Sequence, residues 1–142
     1  MEKYQGNWHR LDNAAKIFPP NSHGLDTKVF RFSCQFIENV DEDTLNLAII
    51  ASLKDIPAFR CVLRHGMFWY YFEECNLEIK AHKEEEPPCM PIYFDASSAL
   101  FRVSYYNRRL NLEVYHALTD GAGALQFLRV LVCNYLDIRY KG

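Results

Sequence analysis

The sequence predicts an α+β domain, a mostly antiparallel or mixed sheet with helices packed on it. Three observations carry this. Short stretches alternate apolar and polar residues at the period of a strand, and two longer stretches repeat apolar residues at helical spacing. The order along the chain reads strand, helix, four strands, helix, so the strands group without the regular alternation of a parallel fold.

Residues 1–26 hold Trp8, Ile17, Phe18 and the pair Pro19-Pro20, and read as an arm or short helix followed by a loop. From Val29, the residues Phe30, Phe32, Cys34 and Phe36 alternate with Arg31, Ser33 and Gln35, a strand with one buried face. Asp41 is placed to cap a helix whose first turn is acidic. Leu45, Ala48, Ile49, Ser52, Leu53 and Ile56 form its packed stripe, and Pro57 ends it.

Phe59, Cys61 and Leu63 predict a second strand, and His65-Gly66 a two-residue hairpin turn. The third strand is expected from Met67 to Glu73, aromatic on both faces and therefore covered on both. Residues 74–91 form a polar interval. In it the run Glu84-Glu85-Glu86-Pro87-Pro88 predicts a solvated loop. Strands at 100–106 and 109–115 flank a second turn at Asn107-Arg108. After Gly121 and Gly123, residues 124–137 read as a mostly buried helix. One row is Leu125, Leu128, Val132 and Leu136, with Ala124, Phe127, Leu131 and Tyr135 beside it.

Composition narrows the function. The chain has 142 residues, 49% of them hydrophobic, which is one domain's worth. A domain of this size buries on the order of 68% of its unfolded surface, enough for a core. A net charge of −2 gives no basic footprint for nucleic acid. The longest apolar runs are too short to span a bilayer, and the N-terminus lacks a secretory signal. Five cysteines at unrelated spacings, with no CxxC, argue against a disulfide framework or a zinc site and for a reducing, cytoplasmic compartment. Cys34 and Cys61 fall on apolar strand positions, where a thiol is a small hydrophobe.

One residue stands out for chemistry. His116 continues the row of Leu110, Leu112 and Val114 and is expected inward at the sheet's rim, just before a Gly-containing turn. Histidine is the natural general base near neutral pH. His9, His23, His65 and His82 lie in arm, loop or turn contexts and read as solvated.

His116 opens the string HALTDG, which matches HxxxDG in the setting strand, His, turn, Asp-Gly, apolar helix. With WHRLDNAAKIFP, the FRCVLR strand after Pro57, and FWYYFEE, it resembles the chloramphenicol acetyltransferase-like superfamily of CoA-dependent acyltransferases. That superfamily includes peptide-synthetase condensation domains, plant HxxxD acyltransferases and alcohol acetyltransferases. The likeness runs from about Trp8 to Leu136. It is nearest to the N-terminal domain of bacterial alcohol acetyltransferase-like and condensation-domain-like proteins.

The resemblance implies an acyltransferase domain that moves an acyl group, acetyl foremost, from a thioester to a hydroxyl or amine acceptor. His116 matches the base that takes the acceptor's proton. Asp120 matches a structural carboxylate that orients the loop through an ion pair, and Gly121 the small residue beside the substrate channel. The donor is acyl-CoA or a carrier-bound acyl thioester, with no metal and no covalently held cofactor. Cofactor-binding residues are not identified. Tyr115 stands where condensation domains commonly have a second histidine, which favours the acetyltransferase branch.

Members of the two-domain branch carry a second, similar half. Residues 1–142 are therefore expected to be a single domain equivalent to the N-terminal half, with an exposed apolar face. The C-terminal half or another copy of the chain would cover that face. The excised domain is favoured over a natural truncation or a homo-oligomer. The competing reading is a non-catalytic binding or interaction module that keeps the fold.

Overall fold

The computed structural model describes residues 28–68, 70–76, 78–92 and 99–141, together with the backbone of 8–10. In chain order the elements are β1 (Trp8–Arg10), β2 (Val29–Gln35), α1 (Glu42–Asp55), a 3-10 turn (Pro57–Phe59), β3 (Cys61–His65), β4 (Tyr70–Glu74), β5 (His82–Lys83), β6 (Phe101–Tyr106), β7 (Arg109–Tyr115) and α2 (Gly121–Tyr140). They build two sheets, ordered β2-β7-β6-β5 and β1-β4-β3. All pairs are antiparallel except β5 with β6, so the mixed α+β architecture stands.

Helix α1 forms as its residues dictate. The Asp41 carboxylate accepts hydrogen bonds from the Thr44 hydroxyl and, at 3.0 Å, the Thr44 amide. Those bonds, the hydroxyl's foremost, hold Asp41 below the usual carboxylate range. Thr44, Leu45, Ala48, Ile49, Ser52 and Leu53 are buried, so the predicted stripe holds through Leu53 and is extended at its start by Thr44, while Ile56 is the C-cap and only partly buried.

The two helices lie against each other and against one face of the four-stranded sheet. Their core unites Leu45, Ile49 and Leu53 of α1 with Phe127, Leu128 and Leu131 of α2. Val103, Leu110, Leu112 and Val114 meet them from the sheet. Phe59, expected on a strand, lies instead in the 3-10 turn that Pro57 starts. Its ring stacks on Phe127 at 4.2 Å and meets Phe101 edge-on at 5.5 Å. Tyr135 stacks on Phe36 at 4.9 Å, and its hydroxyl accepts a hydrogen bond from the Asp41 amide, tying α2 to the start of α1.

In α2 the buried row is Ala124, Phe127, Leu128, Leu131 and Tyr135, while Leu125 and Leu136 are exposed. The row read as flanking is thus the one that faces the core. Leu125 and Leu136 are 36% and 39% exposed, on the flank of that row. Leu47, Ile50, Ile138 and Tyr140 are exposed as well.

A second cluster joins the sheets. Cys61 and Leu63 of β3 pack with Leu100, Tyr115 and Ala117, with Phe72 of β4 beside them. This packing sets the β3–β4 register, in which Leu63 opposes Phe72 and His65 opposes Tyr70. His65 is therefore a paired strand residue and not part of a two-residue turn, and β4 starts at Tyr70 rather than Met67. Met67 and Phe68 lie at the exposed tip. The β6–β7 turn is where the sequence puts it, with Asn107 at φ 52°, a left-handed conformation that asparagine tolerates.

Two further expectations change. Trp8–Arg10 is a strand paired with β4, not an arm or helix, and the remainder of 1–27 lies outside the described residues. The polar interval contains β5, which pairs with β6. Among the described residues no helix is long and apolar enough to cross a membrane.

Candidate functional site

The site forms where β7 runs out. The Tyr115 amide donates to the Leu100 carbonyl at 2.9 Å, and the His116 amide to the Lys28 carbonyl at 2.8 Å. The Leu118 amide then closes the turn on the Tyr115 carbonyl at 2.9 Å. Tyr115 and Ala117 are both buried in the second cluster. His116 between them is left projecting, and its side chain is exposed.

This corrects the inward placement while preserving the face. The His116 ring meets Phe30 at 5.2 Å between centroids, with the planes 61° apart. Phe30 opposes Val114 across β2–β7 and packs on the helical core, so His116 does extend that row. The row passes beyond the covering helices before it reaches the imidazole.

Asp120 is the N-cap of α2. Its Oδ1 accepts a hydrogen bond from the Gly123 amide at 2.9 Å, and its carbonyl accepts one from the Ala124 amide. The carboxylate thereby satisfies one of the orphaned donors of the first turn and opposes the positive end of the helix dipole. Its polar partner among the described residues is this amide and not an arginine.

The two glycines differ. A Cβ on Gly121 would meet Phe32 Cζ at 3.8 Å, an ordinary contact. A Cβ on Gly123 would overlap Thr119 Oγ1 outright. A Cβ at 123 would thus force the Thr119 side chain to shift, whereas one at 121 would only fill the contact distance to Phe32.

The face of the large sheet opposite the helices holds a polar network that the alternation rule reads as solvated. Arg31, Glu113 and Arg102 stand on one rung of β2, β7 and β6, and Ser33, Asn111 and Ser104 on the next. Arg102 Nε is 2.9 Å from Glu113 Oε1, and Arg31 pairs with Glu84 at 2.7 Å and Glu113 at 3.5 Å. Asn111 accepts from the Ser33 hydroxyl and donates to Ser104 and Glu84.

Residues 84–91 lie across this face as a strap. The Glu84 amide binds the Tyr105 carbonyl, Glu113 accepts from the Cys89 amide, and Arg102 donates to the Met90 and Pro91 carbonyls. Cys89 sits at φ 60° to make this path. Beneath the strap is a cleft of about 280 Å³ lined by Arg31, Arg102, Ser104, Glu113 and His82. Burial opposes the charge on Glu84, yet the hydrogen bonds from Arg31 and Arg109 outweigh it and hold the carboxyl below its ordinary range. Burial likewise works against the Arg31 guanidinium, and its pairing with Glu84 and Glu113 raises it nonetheless. The acidic run is therefore only partly solvated. The signal in the sequence was charge complementarity between neighbouring strands, Arg31 and Arg102 against Glu113.

No protein-family description matches the chain, and no curated protein matches it by sequence. Solved structures do. The starter condensation domain of rhizomide synthetase RzmA superposes with a TM-score of 0.76 at 8% identity, over 94% of this chain and 38% of that one. Polyketide synthase associated protein 5 from Mycobacterium tuberculosis gives 0.70 at 19% identity, over 95% and 34%. A structure described as condensation domain-mediated chain release from the enacyloxin polyketide synthase gives 0.62 at 14% identity, over 99% and 31%. The chain has the condensation-domain fold. The chain spans about a third of the length of these structures.

Proposed function

We propose that this domain takes part in acyl transfer from a thioester to a hydroxyl or amine, with His116 as general base. The observation that carries the reading is the condensation-domain fold over 94% of the chain, joined to an exposed histidine at the mouth of the HxxxDG turn. In the proposed reaction, neutral His116 takes the proton of the acceptor as its oxygen or nitrogen attacks the thioester carbonyl. The tetrahedral intermediate then expels the thiolate, and the imidazolium returns the proton to that sulfur. Direct attack needs no covalent enzyme intermediate.

Asp120 serves this step through structure. By capping α2 it fixes the turn that carries His116, and Gly121, matching the family's small residue, keeps a side chain out of the substrate channel. The donor is acyl-CoA, acetyl foremost, or a carrier-bound acyl group. Because the chain spans about a third of its structural neighbours, a further half-domain or a second copy supplies the rest of the channel.

The experiment is thiol release from acetyl-CoA with a panel of alcohols and amines, on wild type and His116→Ala. A rate that falls at least 100-fold in the variant supports the base. Measurable turnover that is equal in both proteins removes the catalytic reading and leaves a binding module with this fold.

A further inference from the structure

β2 and the residue that follows it carry phenylalanines on the face that the helices cover, and each meets a different point of the segment from His116 onward. Phe30 lies against the His116 imidazole at 5.2 Å. Phe32 stands 3.8 Å from where a side chain on Gly121 would begin. Phe36 stacks on Tyr135. Phe30 and Phe32 touch edge to face, with centroids 5.8 Å apart and planes 87° apart. One strand therefore indexes both ends of the turn that runs from His116 to Gly121.

The main chain of His116 is held by its bond to the Lys28 carbonyl, but that bond does not choose a side-chain rotamer. An imidazole divided between rotamers spends only part of its time aimed at a reacting proton, and misplacement by about 1 Å costs on the order of 100-fold in rate. An aromatic ring packed edge to face against the imidazole favours one of those rotamers. The ring is itself fixed, because Phe32 backs it and Phe30 packs on the helical core.

We infer that Phe30 is a positioning residue for His116, holding its imidazole in one rotamer at the mouth of the site. The catalytic consequence rests on the acyl-transfer reading, whereas the rotamer itself does not. The test is solution NMR of the isotope-labelled protein, reading the His116 side-chain couplings and the Phe30–His116 ring contact. Wild type is expected to show one His116 rotamer and a ring-to-ring Overhauser effect.

Phe30→Leu should give rotamer-averaged His116 couplings, with spectral changes otherwise confined to the residues that touched the ring. Phe30→Tyr, which keeps the ring, should restore the single rotamer. In the thioester assay Phe30→Leu lowers kcat by about 10- to 100-fold with KM nearly constant. Averaged couplings in wild type overturn the inference without any variant, so it stays decidable even if Phe30→Leu fails to fold. Unchanged couplings in a folded Phe30→Leu overturn it equally. Loss of the acyl-transfer reading through His116→Ala would leave the rotamer result standing, so the two failures are distinguishable.

Discussion

Glu113 and Arg102 face each other across the β6–β7 pair, with Arg102 Nε 2.9 Å from Glu113 Oε1, on the side of the sheet that the helices leave open. Glu113 is almost wholly buried and also takes Arg31 at 3.5 Å and the Cys89 amide. Its carboxylate is thus the common anchor of three strands and the strap. Glu113→Ala would leave Arg31 with Glu84 alone and Arg102 with only the strap carbonyls, and is expected to cost about 1.5–3 kcal/mol. Urea unfolding of the variant measures this. A loss under about 0.5 kcal/mol would show that the network is incidental.

Glu84 gives the strap a pH dependence. Its carboxyl is lowered in the folded state by Arg31 and Arg109 and returns to about 4.3 on unfolding. A lowered carboxyl contributes stability that is fully present above the unfolded value and is lost as pH falls through the folded one. Wild type should therefore lose more stability than Glu84→Gln between pH 6 and pH 3. Parallel urea midpoints in the two proteins across that window would contradict the assignment.

Asp120 is expected to behave as a helix cap. Asp120→Ala removes the acceptor for the Gly123 amide and should cost about 1 kcal/mol, while Asp120→Asn should recover most of it. Thermal unfolding of both variants gives the comparison. If Asn proves as harmful as Ala, the negative charge outweighs the cap.

The glycines of the turn should separate cleanly. Gly123→Ala forces Thr119 to move and is expected to destabilise by about 1–3 kcal/mol, and a Thr119→Ala background should relieve it. Gly121→Ala meets only ordinary contact with Phe32 and should leave stability level or slightly improved. Melting temperatures of wild type, the three single variants and the Gly123→Ala/Thr119→Ala pair decide it.

Cysteine reactivity offers a probe of the second core cluster. Burial pushes the Cys61 thiol up to about 12, whereas Cys133 is exposed on α2. A disulfide reagent at pH 8 should label Cys133 quickly and Cys61 only on unfolding. Because the thiol ionises near 8.5 in the unfolded chain, Cys61 contributes stability below that pH and loses it progressively up to about 12. Labelling of Cys61 at the Cys133 rate would show that the two sheets open locally.

Periodicity made most of this legible. The α1 stripe, the β6–β7 hairpin and the apolar face of β2 are local patterns, and each is present in the structure. What escaped was set by contacts distant in sequence. The β3–β4 register follows from Leu63 and Phe72 meeting Tyr115 and Leu100, which no local pattern encodes. The core-facing row of α2 depends on which side α1 takes. His116 shows both halves of the lesson. Its face follows from counting along β7, but its exposure comes from the burial of Tyr115 and Ala117 on either side. Glu84 was hidden for a related reason, since a run of acids looks solvated until Arg31 and Arg109 are known to lie beneath it.

The pairing of β2 with β7 has a consequence for how the chain comes into being. Ser33 and its partner Asn111 are 78 residues apart. At ribosomal speed, β2 waits roughly 4–16 s for β7 to be synthesised. Through that interval Phe30, Phe32 and Phe36 have no strand to complete their face, and closing so long a loop is intrinsically slow. The aromatic row that aims His116 in the finished domain is, during synthesis, an apolar segment without its partner, and one that a chaperone would be expected to shield.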